Sequence, residues 1–422
     1  MVKAARLINI FIVVFVDLLG FSLILPLLPY YAQKFGATPA IIGLLTASYA
    51  AASLVGAPLM GRLSDRFGRR LILLLSVAGT FVGFLLLAFA EPIGTSLASL
   101  AASTAINVFV LGVLFLSRSV DGLTGGNITV AQAYISDITD EKNRARGLGL
   151  IGAAFGLGFI IGPAVGGLLS KFGYSVPALV AAGLSFLNLI SIFFFLPESL
   201  TVERRLAIRG QKRPPFTLRA LGNALNRPKV GPLLHIRFFF GLAFSMFQSI
   251  FSLYAAYKLN LTPQTTGYVL AYVGFLSVLV QGVGVGLVTK RFKENAIIIT
   301  SMWLMVFGLA GWAITPNLPI LLVVMLPLSL GGGMLNTVIN SAITKAVTRE
   351  EIGGTLGIST SLESVSRVIA PSAGGFLLQN LGAWAPGVVS AALMLWAVYF
   401  AYRRIILAKV PVIPPAAETA NG

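Results

Sequence analysis

Long apolar blocks, broken by short polar turns, run along almost the whole chain. Phe11 to Val16, Leu71 to Ala90 and Ile320 to Leu330 each belong to a stretch long enough to cross a bilayer. Some 20 apolar residues cross the ~30 Å hydrocarbon core. No water is present there to satisfy a peptide group, so such runs close their hydrogen bonds internally, as helices. The period-2 alternation of a membrane barrel is absent. The blocks predict twelve spans: 7–30, 40–61, 71–90, 106–134, 148–169 and 176–196, then 233–257, 267–288, 296–314, 320–342, 352–378 and 385–402. The fold class is therefore an all-α membrane protein with twelve transmembrane helices. The first span is too long for a signal-peptide core and lacks a small-residue cleavage site, so it is expected to be retained.

Composition sharpens this picture. Charged residues are 11% of the chain against 56% apolar, and mean hydropathy is +0.89. A soluble chain of this length needs about 25% charged residues to cover its surface. The net charge of +17 comes from 31 Lys and Arg. With the N-terminus in the cytoplasm, 26 of the 31 fall in cytoplasmic segments, counting Arg237 at the mouth of span seven. That is the positive-inside pattern. The excess charge is expected to set topology and meet lipid headgroups, and nucleic acid is not an expected partner. The chain has one His, His235, read as an interfacial polar residue, and no Cys. Cys-ligated metal sites and thiol catalysis are thereby excluded, and with one His no reactive constellation is evident, so no enzyme activity and no cofactor are expected.

The chain also repeats itself. Gly147-Leu148-Gly149 matches Thr355-Leu356-Gly357, and Gly162-Pro163-Ala164-Val165-Gly166-Gly167 matches Ala370-Pro371-Ser372-Ala373-Gly374-Gly375. Both pairs are related by one offset of 208 residues, which also pairs Gly125 with Gly333 and Ser136 with Thr344. Two pseudo-symmetric six-helix bundles follow: residues 1–196 and 233–405, joined by a basic cytoplasmic linker, 197–232, and followed by a cytoplasmic tail, 406–422. Duplicated bundles of this kind are a transporter architecture, with substrate bound near the midplane and access alternating as the halves rock.

Five ionisable residues lie well inside spans: Asp17, Arg118, Asp121, Glu363 and Arg367. A lone charge at the bilayer centre costs about 2.5–3.5 kcal/mol or more, so such groups face a cavity and pair. Arg118 and Asp121 are three apart, Glu363 and Arg367 four apart, and each spacing puts the pair on one helical face. Asp17 sits about 15 Å into span one at 1.5 Å per residue. It has no opposite charge on its own helix, so a partner must come from another span or a proton must take that place. Desolvation favours the neutral form of a carboxylic acid, and a nearby guanidinium favours the charged form. A proton and a substrate competing for one acid would have coupled movements. Asp17 and Asp121 are the expected proton carriers, with Glu363 a weaker third.

Four runs of residues resemble a known family. The loop Gly61-Arg62-Leu63-Ser64-Asp65-Arg66-Phe67-Gly68-Arg69-Arg70 resembles the signature loop of the major facilitator superfamily. That resemblance implies an inner gate made by Gly61, Asp65, Arg66, Gly68, Arg69 and Asp137. Asp65 would face the N-terminus of span eleven, where a helix dipole favours an anion, and Arg66 or Arg69 would pair with Asp137. The second-half equivalent, Gly286 to Phe292, lacks the Asp, so the gate is expected to be asymmetric. In span five, Gly149, Gly158, Gly162, Pro163, Gly166 and Gly167 look like the superfamily's antiporter motif with every position filled; as a plain small-residue face they would serve close helix packing. The stretches Asp17 to Pro29 and Arg118 to Asp137 resemble spans one and four of the twelve-span drug/proton antiporters, in particular the tetracycline-efflux branch. The family often has Gln where this chain has Asp121. The resemblance implies the major facilitator fold, a role for Arg118 in proton relay, and a central cavity lined by spans one, four, seven and ten, which makes Gln248, Asn336 and Asn340 candidate substrate contacts, or interhelical hydrogen bonds.

The expected function is proton-coupled export of amphipathic small molecules by alternating access. The alternative is a proton-coupled transporter of one metabolite, such as a sugar, peptide or organic acid. Small-molecule substrate, protons and lipid are the expected partners, and a monomer the expected state. The short loops point to a bacterial inner membrane, with both termini cytoplasmic.

Overall fold

The computed structural model describes residues 2–201, 222, 224–348 and 351–407. Most of the basic linker and nearly all of the tail predicted at 406–422 lie outside these residues. No strand occurs among the described residues. The chain forms two compact units, Met1–Arg213 with Ile250–Phe275, and Pro214–Ser249 with Leu276–Gly422.

The first unit contains α1 (Val2–Ile24), α2 (Leu28–Lys34), α3 (Pro39–Phe67), α4 (Arg69–Ala88), α5 (Ala90–Leu100), α6 (Ile106–Thr124), α7 (Asn127–Ile138), α8 (Glu141–Leu169) and α9 (Ser175–Phe195). Polar caps start the two longest helices of this unit, α3 and α8. Thr38 accepts from the Ile41 amide at 3.5 Å and Asp140 from the Asn143 amide at 3.0 Å, satisfying amides that have no partner within the helix. Between α3 and α4 the chain reverses at Gly68, whose φ of +109° suits a residue without Cβ. In this unit α1 packs on α8 and α9, α3 on α6, and α4 on α6 and α9. Its core is built from Ile10, Val13, Val14, Leu73, Val77 and Tyr134 with their neighbours.

Two features of the first half differ from the sequence expectation. The segment 91–104, between the predicted spans 71–90 and 106–134, holds α5: buried Ala90, Gly94 and Ala98 lie four apart on one face, and small residues there let the helix sit against Val110 of α6. A run of small residues carries little hydropathy, which hid the helix. Span four is also not one helix. It breaks at Gly125 and Gly126 between α6 and α7. Ser76 of α4 compensates, donating to the Thr124 carbonyl and accepting from the Gly126 amide at 3.2 Å. A break inside a membrane persists where a neighbour re-satisfies the freed backbone.

In the second half, α10 (Gly231–Leu259) is followed by α11 (Pro263–Leu279), a π turn at Val280–Gly284, α12 (Val285–Arg291), α13 (Glu294–Ile314), α14 (Leu318–Lys345), α15 (Ile352–Leu381) and α16 (Ala385–Ala401). Residues 250–275 of α10 and α11 belong to the first unit. Within the second unit α13 packs on α14 and α16.

Among the described residues, eleven stretches are long and apolar enough to cross a membrane, the α6–α7 and α11–α12 pairs each counting as one. The remaining predicted span, 352–378, corresponds to α15, 30 residues long. It carries Glu363, Arg367 and several Ser and Thr, and that polarity is what sets it apart.

Candidate functional site

Inside the first unit, α1, α4, α6 and α7 bring the predicted acids to one place. A cavity of about 30 Å³ is lined by Asp17, Thr80, Asp121, Asn127, Tyr49 and Phe84, among others. Such a volume has room for a water or two. Asp121 pairs with Arg118 at 3.2 Å, as the three-residue spacing predicts, and is hydrogen-bonded by Thr80. Arg118 lies over the Phe84 ring, 5.6 Å from its centroid, and both members of the pair are buried. α4 can come this close because Gly83 faces Asp121: a Cβ there would lie 2.9 Å from that of Asp121.

Asp17 finds its partner on another span, as its isolation on α1 required. The Asn127 amide donates to it at 2.5 Å. Asn127 is the first residue of α7, so the Gly125–Gly126 break is what aims it. The cluster thus holds two carboxyl groups, one guanidinium and one neutral amide. Sequence reasoning missed Asn127, Thr80 and Ser76; the Gly-Gly pair ahead of Asn127 was the available signal.

A second cluster forms inside the second unit. Glu363 pairs with Arg367 on its own helix at 2.6 Å, as predicted, and also with Arg237 of α10. Arg237 donates to the Asn336 carbonyl oxygen at 2.6 Å and lies over Phe240, 5.8 Å from the ring centroid. This corrects the placement of Arg237. It is only 6% exposed, within the bundle rather than in the cytoplasmic count, because six residues of helix already carry it about 9 Å along α10. Asn336, expected to contact substrate or to make an interhelical hydrogen bond, serves as acceptor for Arg237. Asn340 is half-buried one turn further along α14, and Gln248 is exposed on α10. His235 bonds the Gly231 carbonyl of its own helix at 2.8 Å and lies against Phe400.

At the α3–α4 turn, Arg69 answers the choice left open with Arg66. It bridges Asp65 at 2.7 Å and Asp137 at 3.0 Å and donates to Ser64. Arg66 is exposed over Phe67. Glu198, which the sequence did not single out, accepts from the Arg69 and Arg70 amides at 2.9 and 3.1 Å. A carboxylate at a helix N-terminus meets free amides and the positive dipole end. Ser199 adds a hydrogen bond to Asp137 at 3.1 Å. The turn is thus tied to α7 and to the chain after α9. Gly61 faces Thr129 at an ordinary distance.

The family model of the Major Facilitator Superfamily matches residues 10–284 and 233–421. The chain belongs to the major facilitator superfamily. It is therefore a multi-pass membrane protein of a transporter family. Among its relatives, the class C tetracycline resistance protein of Escherichia coli is 32% identical over 84% of this chain and 85% of that protein. The class H tetracycline resistance protein of Pasteurella multocida is 28% identical over 94% and 96%. The major facilitator fold is shared with the crystal structure of the human organic anion transporter MFSD10 (TETRAN), at a TM-score of 0.66 and 21% identity over 94% of this chain and 99% of that one. The nucleoside transporter NupG matches with a TM-score of 0.74 at 13% identity, over 95% and 100%.

The glycine motif of this superfamily member divides by position. A Cβ on Gly162 would strike Ser22 of α1, and one on Gly166 the Leu23 carbonyl. Gly158 packs on Leu18 and its carbonyl accepts from Ser22 at 2.8 Å. These three seal α8 against α1. On another side Gly167 meets Gln264, and the Pro163 carbonyl lies against Gly267 of α11. Gly149 has nothing within 4 Å of an added Cβ among the described residues.

Proposed function

We propose that the protein exports amphipathic small molecules in exchange for protons, by alternating access. The observation that carries this reading is the shared cavity of Asp17 and Asp121. Two acids there meet one guanidinium. With both ionised the cluster holds one uncompensated negative charge inside the membrane, where such charge is costly. A proton on either acid balances it, and so does a cationic or hydrogen-bond-donating substrate. Asp17, held by a neutral amide, is the acid with the less committed partner. Arg118 sets the charge of Asp121 and so helps pass the proton between the two. Relatives named for tetracycline resistance support the drug-export reading, as does the filled glycine motif of α8. The Arg69 bridge between Asp65 and Asp137 is proposed as part of the inner gate. Both termini are placed in the cytoplasm of a bacterial inner membrane, and the working unit is a monomer.

Everted vesicles with an acidified lumen and a pH-sensitive dye test this. Adding cationic, neutral or zwitterionic drugs is expected to release lumenal protons in wild type and not in Asp17→Asn or Asp121→Asn. If no drug moves protons and one sugar, peptide or organic acid does, the metabolite-transporter reading replaces it.

A further inference from the structure

The second-half cluster has the opposite charge balance. Arg237 and Arg367 share the one carboxylate of Glu363, which leaves one guanidinium charge in excess. Arg237 is nearly fully buried, yet its Nε has no hydrogen-bond partner among the described residues. A buried guanidinium normally fills its donors, because an unsatisfied one is costly.

The cluster is also open on one side. Arg367 lies midway along α15, and its side chain is 59% exposed. A guanidinium at that depth cannot face lipid at reasonable cost. Gly353, Gly357, Thr360 and Arg367 are exposed and Ser364 half-exposed, at spacings that put all five on one stripe of α15. No Cβ added to Gly353 or Gly357 would meet anything within 4 Å among the described residues. A polar, open stripe within a membrane helix lines an aqueous cavity. Beside the charges, Phe240 and Phe244 stack at 5.6 Å on α10.

We infer that Arg237 and Arg367 form a binding subsite for an organic anion, the carboxylate, sulfonate or enolate head of an amphipathic molecule. Glu363 occupies the subsite as an internal counter-ion while it is empty. The incoming anion takes one guanidinium from Glu363, as a bidentate or single charge-assisted hydrogen-bond acceptor. The aromatic side of α10 receives the apolar body. Cargo carrying an anionic group is thereby favoured over a purely cationic one. This deepens the transporter reading and rests on it.

The test is equilibrium binding to the full-length protein in lipid nanodiscs, read by fluorescence polarisation. The probes are 8-anilinonaphthalene-1-sulfonate and its uncharged parent, N-phenyl-1-naphthylamine. Arg367→Gln is expected to weaken the sulfonate by about tenfold, the scale of one charge-assisted hydrogen bond, and to leave the neutral probe unchanged. Arg237→Gln is expected to do the same. Glu363→Gln removes the internal competitor and is expected to tighten the sulfonate, an outcome that a purely structural ion pair does not produce. Arg367→Lys keeps the charge at an exposed position and should retain most of the binding. If Glu363→Gln and Arg367→Gln, both at the open side of the cluster, leave the ratio of the two affinities at its wild-type value, the inference is overturned. Binding needs no proton movement, so loss of drug-driven proton release with this pattern intact would sink the export reading alone.

Discussion

The two halves use one backbone design with opposite charge. In the first, two acids surround one guanidinium, Asp17 and Asp121 about Arg118. In the second, two guanidiniums surround one acid, Arg237 and Arg367 about Glu363. The reversal extends to the helix ends. Arg69, which opens α4, pairs with Asp137 near the end of α7. Glu294, which opens α13, pairs with Lys345 at the end of α14, and Lys345 stands 208 positions after Asp137. At the same offset Asp121 meets Ser329, while Glu363 and Arg367 stand where the first half has the stacked rings of Phe155 and Phe159. Glycine and proline positions answer to helix packing, so the repeat retains them. The clustered charges are placed separately in each half: at this offset no charge of one cluster meets a charge of the other.

The largest expected effect tests whether the negative cluster is the one that handles protons. Asp17→Asn and Asp121→Asn should each lower drug-driven proton release by about a hundredfold or more, the scale of losing a positioned proton carrier. Glu363→Gln should spare most of it. Equal loss from Glu363→Gln in the same vesicles would erase the distinction between the halves.

Next comes the cost of splitting the buried pair. Arg118→Gln leaves Asp121 charged and unpaired, a loss of about 3–5 kcal/mol for a buried ion pair broken on one side. A large fall in thermal unfolding temperature is expected. Adding Asp121→Asn should recover much of that stability without recovering proton release. Recovery of both would make the pair structural only.

A smaller effect distinguishes the glycines within one motif. Gly162→Ala drives a methyl group into Ser22 of α1, and overpacking of this kind costs about 1–3 kcal/mol. Gly149→Ala has open space and should be near neutral in melting temperature. If the two behave alike, close contact between α1 and α8 is not what the motif supplies.

The fold was legible early, because span-length apolar blocks and the 208-residue repeat both follow from bilayer thickness and helix packing, and the family was legible through its resemblance in the loop Gly61 to Arg70. The pairs Arg118–Asp121 and Glu363–Arg367 were legible for the same reason: residues three or four apart share a helix face. Contacts between helices were not. Asn127 reaches Asp17 only because the Gly125–Gly126 break turns it inward. Arg237 was taken for a membrane-face residue because a basic residue near a span end usually is one. Glu198 caps α4 across 129 positions of sequence, and no local pattern announces such a partner. The α5 helix was missed because Ala and Gly pack well while adding little hydropathy.

The smallest effect concerns the reversed ion pairs at the helix ends. Lys345 is 48% exposed and Glu294 16%, so the pair is partly screened, and exposed pairs contribute about 0.2–1 kcal/mol. Arg69 and Asp137 are both buried to within a few per cent, and breaking that bridge should cost several times more. Exchanging the charges by Glu294→Lys with Lys345→Glu should restore the melting temperature lost in either single variant. The matching exchange, Arg69→Asp with Asp137→Arg, should not, because Asp65, Ser64 and Ser199 are set to receive a guanidinium at position 69 and a carboxylate at 137. If both exchanges are tolerated, the two ends are equivalent fasteners. If only the second-half exchange is, the first-half turn is specialised, as a gate located on one half requires.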